Sequence, residues 1–218
     1  MRLMSIRLMN ILNNLKTIKN KNMKTLNLYL FVTLIAFISC KQNDNQTQDK
    51  ASFEIYETIA QKEVPINLIE EFQQMNMQLN TDTHSPIIAF VPVDSTMQLS
   101  QIVNDKVKFL QTAQPVDKDK KYIAIVAVKN QSSLNTSDLK KTKPIQNNIE
   151  IYFNLQGASK WSDMTKSNIG KMIAFSINNK IYALTSVNGE IKNGTAIING
   201  LENAELATKV SSSLNANL

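Results

Sequence analysis

The chain has 218 residues, 24 of them basic and 18 acidic, for a formal net charge of +6. With 5 Gly, 5 Pro and 43% hydrophobic residues it is neither collagen-like nor low-complexity, and it holds enough apolar material for a packed core. The charge excess sits in the first 39 residues, which carry Arg2, Arg7, Lys16, Lys19, Lys21 and Lys24 and no acidic residue. Removing those six leaves 18 basic against 18 acidic residues, so the remainder lacks the basic footprint that a nucleic-acid partner needs.

Residues 28–38 form an apolar run, with Lys24 before it and Ser39-Cys40 after it. The run is too short for an ordinary membrane span, which takes about 20 residues, and it fits the h-region of a secretory signal. Met23 offers a second start, because residues 1–22 would make an unusually long n-region. The Phe37-Ile38-Ser39-Cys40 stretch resembles a bacterial lipobox. That resemblance implies cleavage between Ser39 and Cys40 and acylation of the Cys40 thiol and its new amino group. The alternative is an uncleaved signal anchor with a free Cys40 thiol. Cys40 is the only cysteine, so no intramolecular disulfide is possible. Several acyl chains, each worth about 0.8 kcal/mol per buried methylene, would hold firmly where one would not. Residues 1–39 thus read as a signal peptide and 40–50 as a lipidated polar tether. Lys41 stands where an Asp would signal inner-membrane retention, which favours the outer membrane.

Residues 52–58 alternate as a strand does. Residues 64–80 carry Ile66, Ile69, Phe72, Met75 and Leu79 at helical spacing, with Pro65 suited to a first turn. Residues 87–93 read as a buried strand, and Asp94-Ser95-Thr96 as the cap of a short helix through Val103. Residues 106–112 and 121–128 are two further strands. Residues 131–147 are polar, contain Pro144, and suggest an internal boundary.

The remainder has the clearest local pattern. Residues 148–154 are a strand. A helix from Gly157 to Asn168 presents Ala158, Trp161 and Met164 on one face and stops at Gly170. Strands 172–177 and 180–185 join through Asn178-Asn179, residues that tolerate the positive φ of a two-residue hairpin turn. A strand at 194–199 and a closing helix at 202–214, with Leu206, Ala207, Val210 and Leu214 inward, complete a β-α-β-β-β-α order. The class expected is α+β, an antiparallel sheet with helices packed on one face.

The ordered set Ile149-Glu150-Ile151-Tyr152-Phe153, Met164 to Lys171, Ile173-Ala174-Phe175, Gly194 to Gly200 and Glu202 to Ala207 resembles the head subdomain of the first periplasmic domain of the SecD/SecDF protein-export family. Upstream, Phe53 to Thr58, Pro86 to Val91, Lys108-Phe109-Leu110 and Lys121 to Ala124 follow in a similar order. The resemblance implies a smaller α/β base-like region at 51–145 and a head-like subdomain at 146–218. It implies contact with exported polypeptides or an envelope partner protein. Two departures stand out. No Pro follows Tyr182, where that family's second hairpin strand has one. The chain also ends at Leu218, where a SecD returns to its base and enters its transmembrane bundle, so proton-driven motor activity is not expected of it.

Residue chemistry points away from catalysis. His84 is the only histidine and lies in a polar loop, so with Cys40 acylated no His-based triad or His/Cys metal set can form. Glu70 and Glu71 diverge by about 100° on a helix, and Glu54 and Glu57 point to opposite faces of a strand. Gly194 and Gly200 flank a strand and form no phosphate loop. Trp161 reads as core. No catalytic residue, metal or cofactor is expected. The expected protein is a lipid-anchored envelope module that binds protein. A drifted lipoprotein scaffold or ligand-binding module unrelated to export is the alternative, and an envelope hydrolase would need converging carboxylates or a Ser–Lys pair.

Overall fold

A computed structural model describes residues 50–95, 99, 102 and 104–218. Ser39, Cys40 and most of the tether lie outside the described residues, as does most of the short helix expected after Asp94. Residues 47–218 form one compact unit with its own apolar clusters.

An eight-stranded sheet runs through this unit. Its strands are β1 (Phe53–Glu57), β2 (Gln78–Leu79), β3 (Ile87–Pro92), β4 (Val107–Thr112), β5 (Tyr122–Lys129), β6 (Leu134–Asn135), β9 (Met172–Ile177) and β10 (Lys180–Ser186). The order is β2-β3-β5-β4-β10-β9-β1-β6, and every pairing is antiparallel except β4 with β10. The sheet curls until β1 approaches β5. Thr58 bridges Val128, and the Ile59 amide donates to the Ala127 carbonyl at 3.0 Å. Tyr56, Leu110, Val126, Val128, Ala174 and Ile181 fill the space this curl encloses.

A second sheet of three antiparallel strands has the order β11-β8-β7, with β7 at Leu139–Ile145, β8 at Asn148–Phe153 and β11 at Thr195–Ile198. Alternation along β8 buries Ile149, Ile151 and Phe153 and leaves Asn148, Glu150 and Tyr152 on the other face. The buried side meets helices α2 (Leu155–Ser167) and α3 (Ala204–Asn215) and the β1 and β9 strands of the large sheet, in one cluster that includes Phe53, Phe175, Trp161, Met164 and Leu214. The α+β class stands, with one large, mostly antiparallel sheet, a small antiparallel one and few helices.

Several local expectations change. The helix expected over 64–80 is α1 (Ile66–Gln74) and ends early. Asn76 takes φ 54°, its amide donates to Gln73, and the Met77 amide reaches back to Phe72 at 3.2 Å. This is a left-handed stop with Asn in the place Gly usually holds, sealed by Met77 packing with the Phe72 cluster. Leu79, assigned to the helix face, is in β2, and Ile66, also assigned inward, is exposed while Leu68 is buried. The polar 131–147 stretch, expected as an internal boundary, carries β6, a 3-10 turn at Thr136–Asp138, and β7. The final β-α-β-β-β-α order does not make a single sheet, since β8 and β11 belong to the small sheet and β9 and β10 to the large one.

Other local signals match the structure. Asn178 and Asn179 take φ 50° and 59°, as a type I′ turn requires. Helix α2 starts two residues before Gly157, with the Asn154 side chain accepting from the Gly157 amide at 2.9 Å. Asn203 caps α3 the same way, accepting from Leu206 at 2.8 Å. Where Tyr182 lacks a following Pro, the β9–β10 register shifts between Ile181 and Ala183, a bulge that bends β10 at that residue.

Candidate interaction surface

The singled-out carboxylates and the histidine do not come together. His84 is exposed beside Asp82 in a surface turn. Glu57 pairs with Lys129 at 2.6 Å and Glu70 faces solvent. Glu54 takes part in a hydrogen bond with Tyr56, whose hydroxyl also accepts from Lys108 at 3.0 Å. Burial, followed by the hydrogen bond and charge of Glu54, pushes the Tyr56 phenol well above its ordinary range. The Lys108 ammonium also reaches Asn179 at 3.0 Å and lines an open cleft of about 520 Å³ beside β4. Among the described residues no group of three or more His, Cys, Asp or Glu is placed to hold a metal, and no helix is long and apolar enough to cross a membrane.

The junction that places α2 against the small sheet was not foreseen in the sequence. The Asp138 side chain is fully buried, accepts from Lys160 at 2.8 Å and from the Asn135 amide at 2.9 Å, and completes a capping box with Asn135. The Asp138 carbonyl accepts from the Asn154 amide at 2.9 Å. Gly157 packs so closely on that carbonyl that a side chain there would overlap it. These contacts hold the first turn of α2 over the 3-10 turn and aim Trp161 into the core. The Trp161 ring is 2% exposed and lies 5.5 Å from Phe153 and 6.0 Å from Phe175 between ring centres. Its Nε1 has no hydrogen-bond partner among the described residues.

Behind Trp161 lies a second cavity of about 330 Å³, walled by Phe175, Ile173, Val187, Ile191, Ala196 and the tryptophan itself. The β10–β11 loop roofs it. Val187 is tied to Lys171 at 2.9 Å, the Ile191 amide donates to Thr165 at 3.0 Å, and Ser162 donates to Glu190 at 2.7 Å. The Ser162 hydrogen bond, with Lys192 beside it, holds the Glu190 carboxyl below its ordinary value. The outer face of the small sheet carries Tyr152, with Lys141 at 4.6 Å and Lys143 at 5.5 Å from its ring centre and Glu150 at 2.5 Å from its hydroxyl. Its two edges differ. The β7 edge is closed by Asn215, which donates to the Thr142 carbonyl at 3.0 Å and accepts from the Thr142 amide at 2.8 Å. The β11 edge has no such cover among the described residues.

These features offer shape, a sheet edge and apolar recesses. Residues 108–218 match the family described as the SecDF P1 head subdomain. Protein translocase subunit SecD of Leptotrichia buccalis is 29% identical over 83 residues, 38% of this chain and 20% of that protein. Protein translocase subunit SecDF of Thermus thermophilus is 31% identical over 62 residues, 28% of this chain and 8% of that protein. The chain therefore spans a fifth or less of the length of these relatives. A solved structure described as a membrane component SecDF that enhances protein export aligns with a TM-score of 0.45 at 15% identity, over 82% of this chain and 69% of that one. With the match running through half of its residues, including the α2 junction and the walls of the cavity behind Trp161, the chain belongs to the SecDF P1 head subdomain family.

Proposed function

We propose that this protein is a lipid-anchored component of the cell envelope whose SecD-like domain contacts exported polypeptides or an envelope partner protein. The observation that carries the reading is the family match over residues 108–218. The lipid anchor rests on the lipobox-like Ser39-Cys40 after the apolar run, and the outer membrane on Lys41. Contact here is by shape and main-chain pairing and involves no catalysis. The residues after Ser39 are formally neutral, so binding is weak, tolerant of client sequence and only mildly dependent on salt.

Residues 47–218 titrated with an unfolded envelope protein and with its folded form test the contact. Preference for the unfolded form supports it. Equal affinity for both, or none for either, overturns it in favour of a scaffold unrelated to export. Mass spectrometry of the mature N-terminus tests the anchor: a diacylated or triacylated Cys40 supports it, and an unmodified Cys40 or cleavage elsewhere removes the anchor and the localisation together.

A further inference from the structure

We propose that the edge of β11 and the cavity behind Trp161 form one receptor site, which takes an extended segment of a client polypeptide as a fourth strand of the small sheet and receives one large apolar side chain of that segment. The inference rests on the polypeptide-contact reading above and gives it a place on the molecule.

Three observations meet at this site. The first is the unequal treatment of the two edges. Asn215 supplies both a donor and an acceptor to Thr142, which is what a neighbouring strand would offer, so β7 is satisfied from within the chain. On the other side, the Phe153 amide donates to Gly194, which fixes Gly194, Ala196 and Ile198 as the residues whose main chain faces β8. Thr195 and Ile197 therefore turn theirs outward. The Thr195 amide is met by the Asn193 side chain at 3.2 Å, whereas the amide and carbonyl of Ile197 have no partner among the described residues. The Ile197 side chain is also 48% exposed. The open donor and acceptor of Ile197 are complementary to an extended main chain.

The second observation is where the cavity lies. Ala196 and Ile197 of this same strand form part of its wall. A strand added beside β11 would place every second side chain on the cavity side. The space of about 330 Å³ accommodates one aromatic or long aliphatic side chain, and its walls are mostly apolar. The third is the roof. The loop over the cavity is tied down at Val187, Glu190 and Ile191, while Asn188 and Gly189 between those ties make no hydrogen bond among the described residues. The recess is thus held in shape from both ends of its roof.

Trp161 is the only tryptophan, and it forms one wall, so at fixed pH in the folded protein its emission reports occupancy of this site. The probe is an alternating Thr/Val heptapeptide with a central Phe. Two control peptides accompany it, one N-methylated at alternate amides and one with the Phe replaced by Ser. The expected result is a saturable shift of Trp161 emission, weakened at least tenfold by either control. Ile197→Pro should weaken it similarly, because proline removes the outward donor without touching the ladder to β8. The N-methyl control keeps the test independent of how well that variant folds. Absence of a saturable shift, binding unchanged by both controls, or a shift that follows protein concentration without peptide, meaning a second copy pairs with β11, overturns the site. An unfolded client that binds equally to the Ile197→Pro variant overturns the site and leaves polypeptide contact standing. Peptide binding without client binding does the reverse.

Discussion

Gly157 shows how a single atom sets the geometry of α2. A methyl group there would overlap the Asp138 carbonyl, which already accepts from the Asn154 amide. Neither partner can yield, because the Asp138 side chain is locked by Lys160 and by the Asn135 amide. Gly157→Ala is therefore expected to cost about 1–3 kcal/mol by overpacking, despite alanine's better helix propensity, as read from the denaturant midpoint. An unchanged midpoint would mean that α2 can shift off the turn. Trp161→Ala should cost about 3–5 kcal/mol for loss of a fully buried ring. Trp161→Phe should cost less, since it keeps an aromatic contact with Phe153 and Phe175 and removes an indole N–H that has no partner. Equal losses from the two substitutions would show that the indole N–H is satisfied, by water or otherwise. Glu190 adds a pH dependence. Its carboxyl titrates below the ordinary value in the folded chain, so its tie to Ser162 contributes stability that is present above the unfolded value and lost as pH falls through the folded one. Acidification through the carboxylate range should loosen the loop over the cavity and change Trp161 emission before global unfolding, and Glu190→Gln should remove that early step.

At the scale of elements, the hairpin of β9 and β10 depends on two residues in the left-handed region. Replacing Asn178 and Asn179 together by Ala should cost about 1–2 kcal/mol per residue, while Asn179→Gly should be neutral or stabilising, both measurable by thermal melting. This hairpin was legible from the sequence because a two-residue turn is local and Asn-Asn between alternating strands signals it. The inward faces of α2 and α3 were legible for the same reason. Two kinds of element were not. Helix α1 stops at Gln74 although Met75 and Leu79 continue its spacing, because the left-handed Asn76 turns the chain toward a pairing with β3 that only the folded sheet supplies. Strand β7 hides in a polar stretch. Only Leu139 and Thr142 point inward, and a register shift between Leu139 and Lys141 breaks the alternation that would reveal them. The cavity and the β11 edge were invisible for a different reason: their walls come from α2, β9, the β10–β11 loop and β11, and no sequence spacing connects those segments.

Across the whole molecule, the strands of residues 51–145 and 146–218 are interleaved. In the large sheet β9 pairs with β1, β10 pairs with β4, and β1 closes on β5. In the small sheet β8 needs β7. The main cluster around Trp161 includes Ala51, Phe53, Ile55, Leu134 and Leu139 from the first segment. A fragment of 146–218 would lose all five, leave β9 and β10 as a two-stranded hairpin with no further partner, and expose the β7 side of β8. Hairpins of that kind are at best marginal in water. Residues 47–218 should accordingly unfold in one cooperative step, with Trp161 emission and far-ultraviolet circular dichroism superimposing through the transition. The 146–218 fragment should show no cooperative melt and little amide protection from hydrogen exchange. It should recover both when mixed with residues 47–145, because the missing strands return as partners. A fragment that melts cooperatively by itself would show that α2, α3, β8 and β11 carry enough core between them, and that the shared sheet joins two units that fold separately.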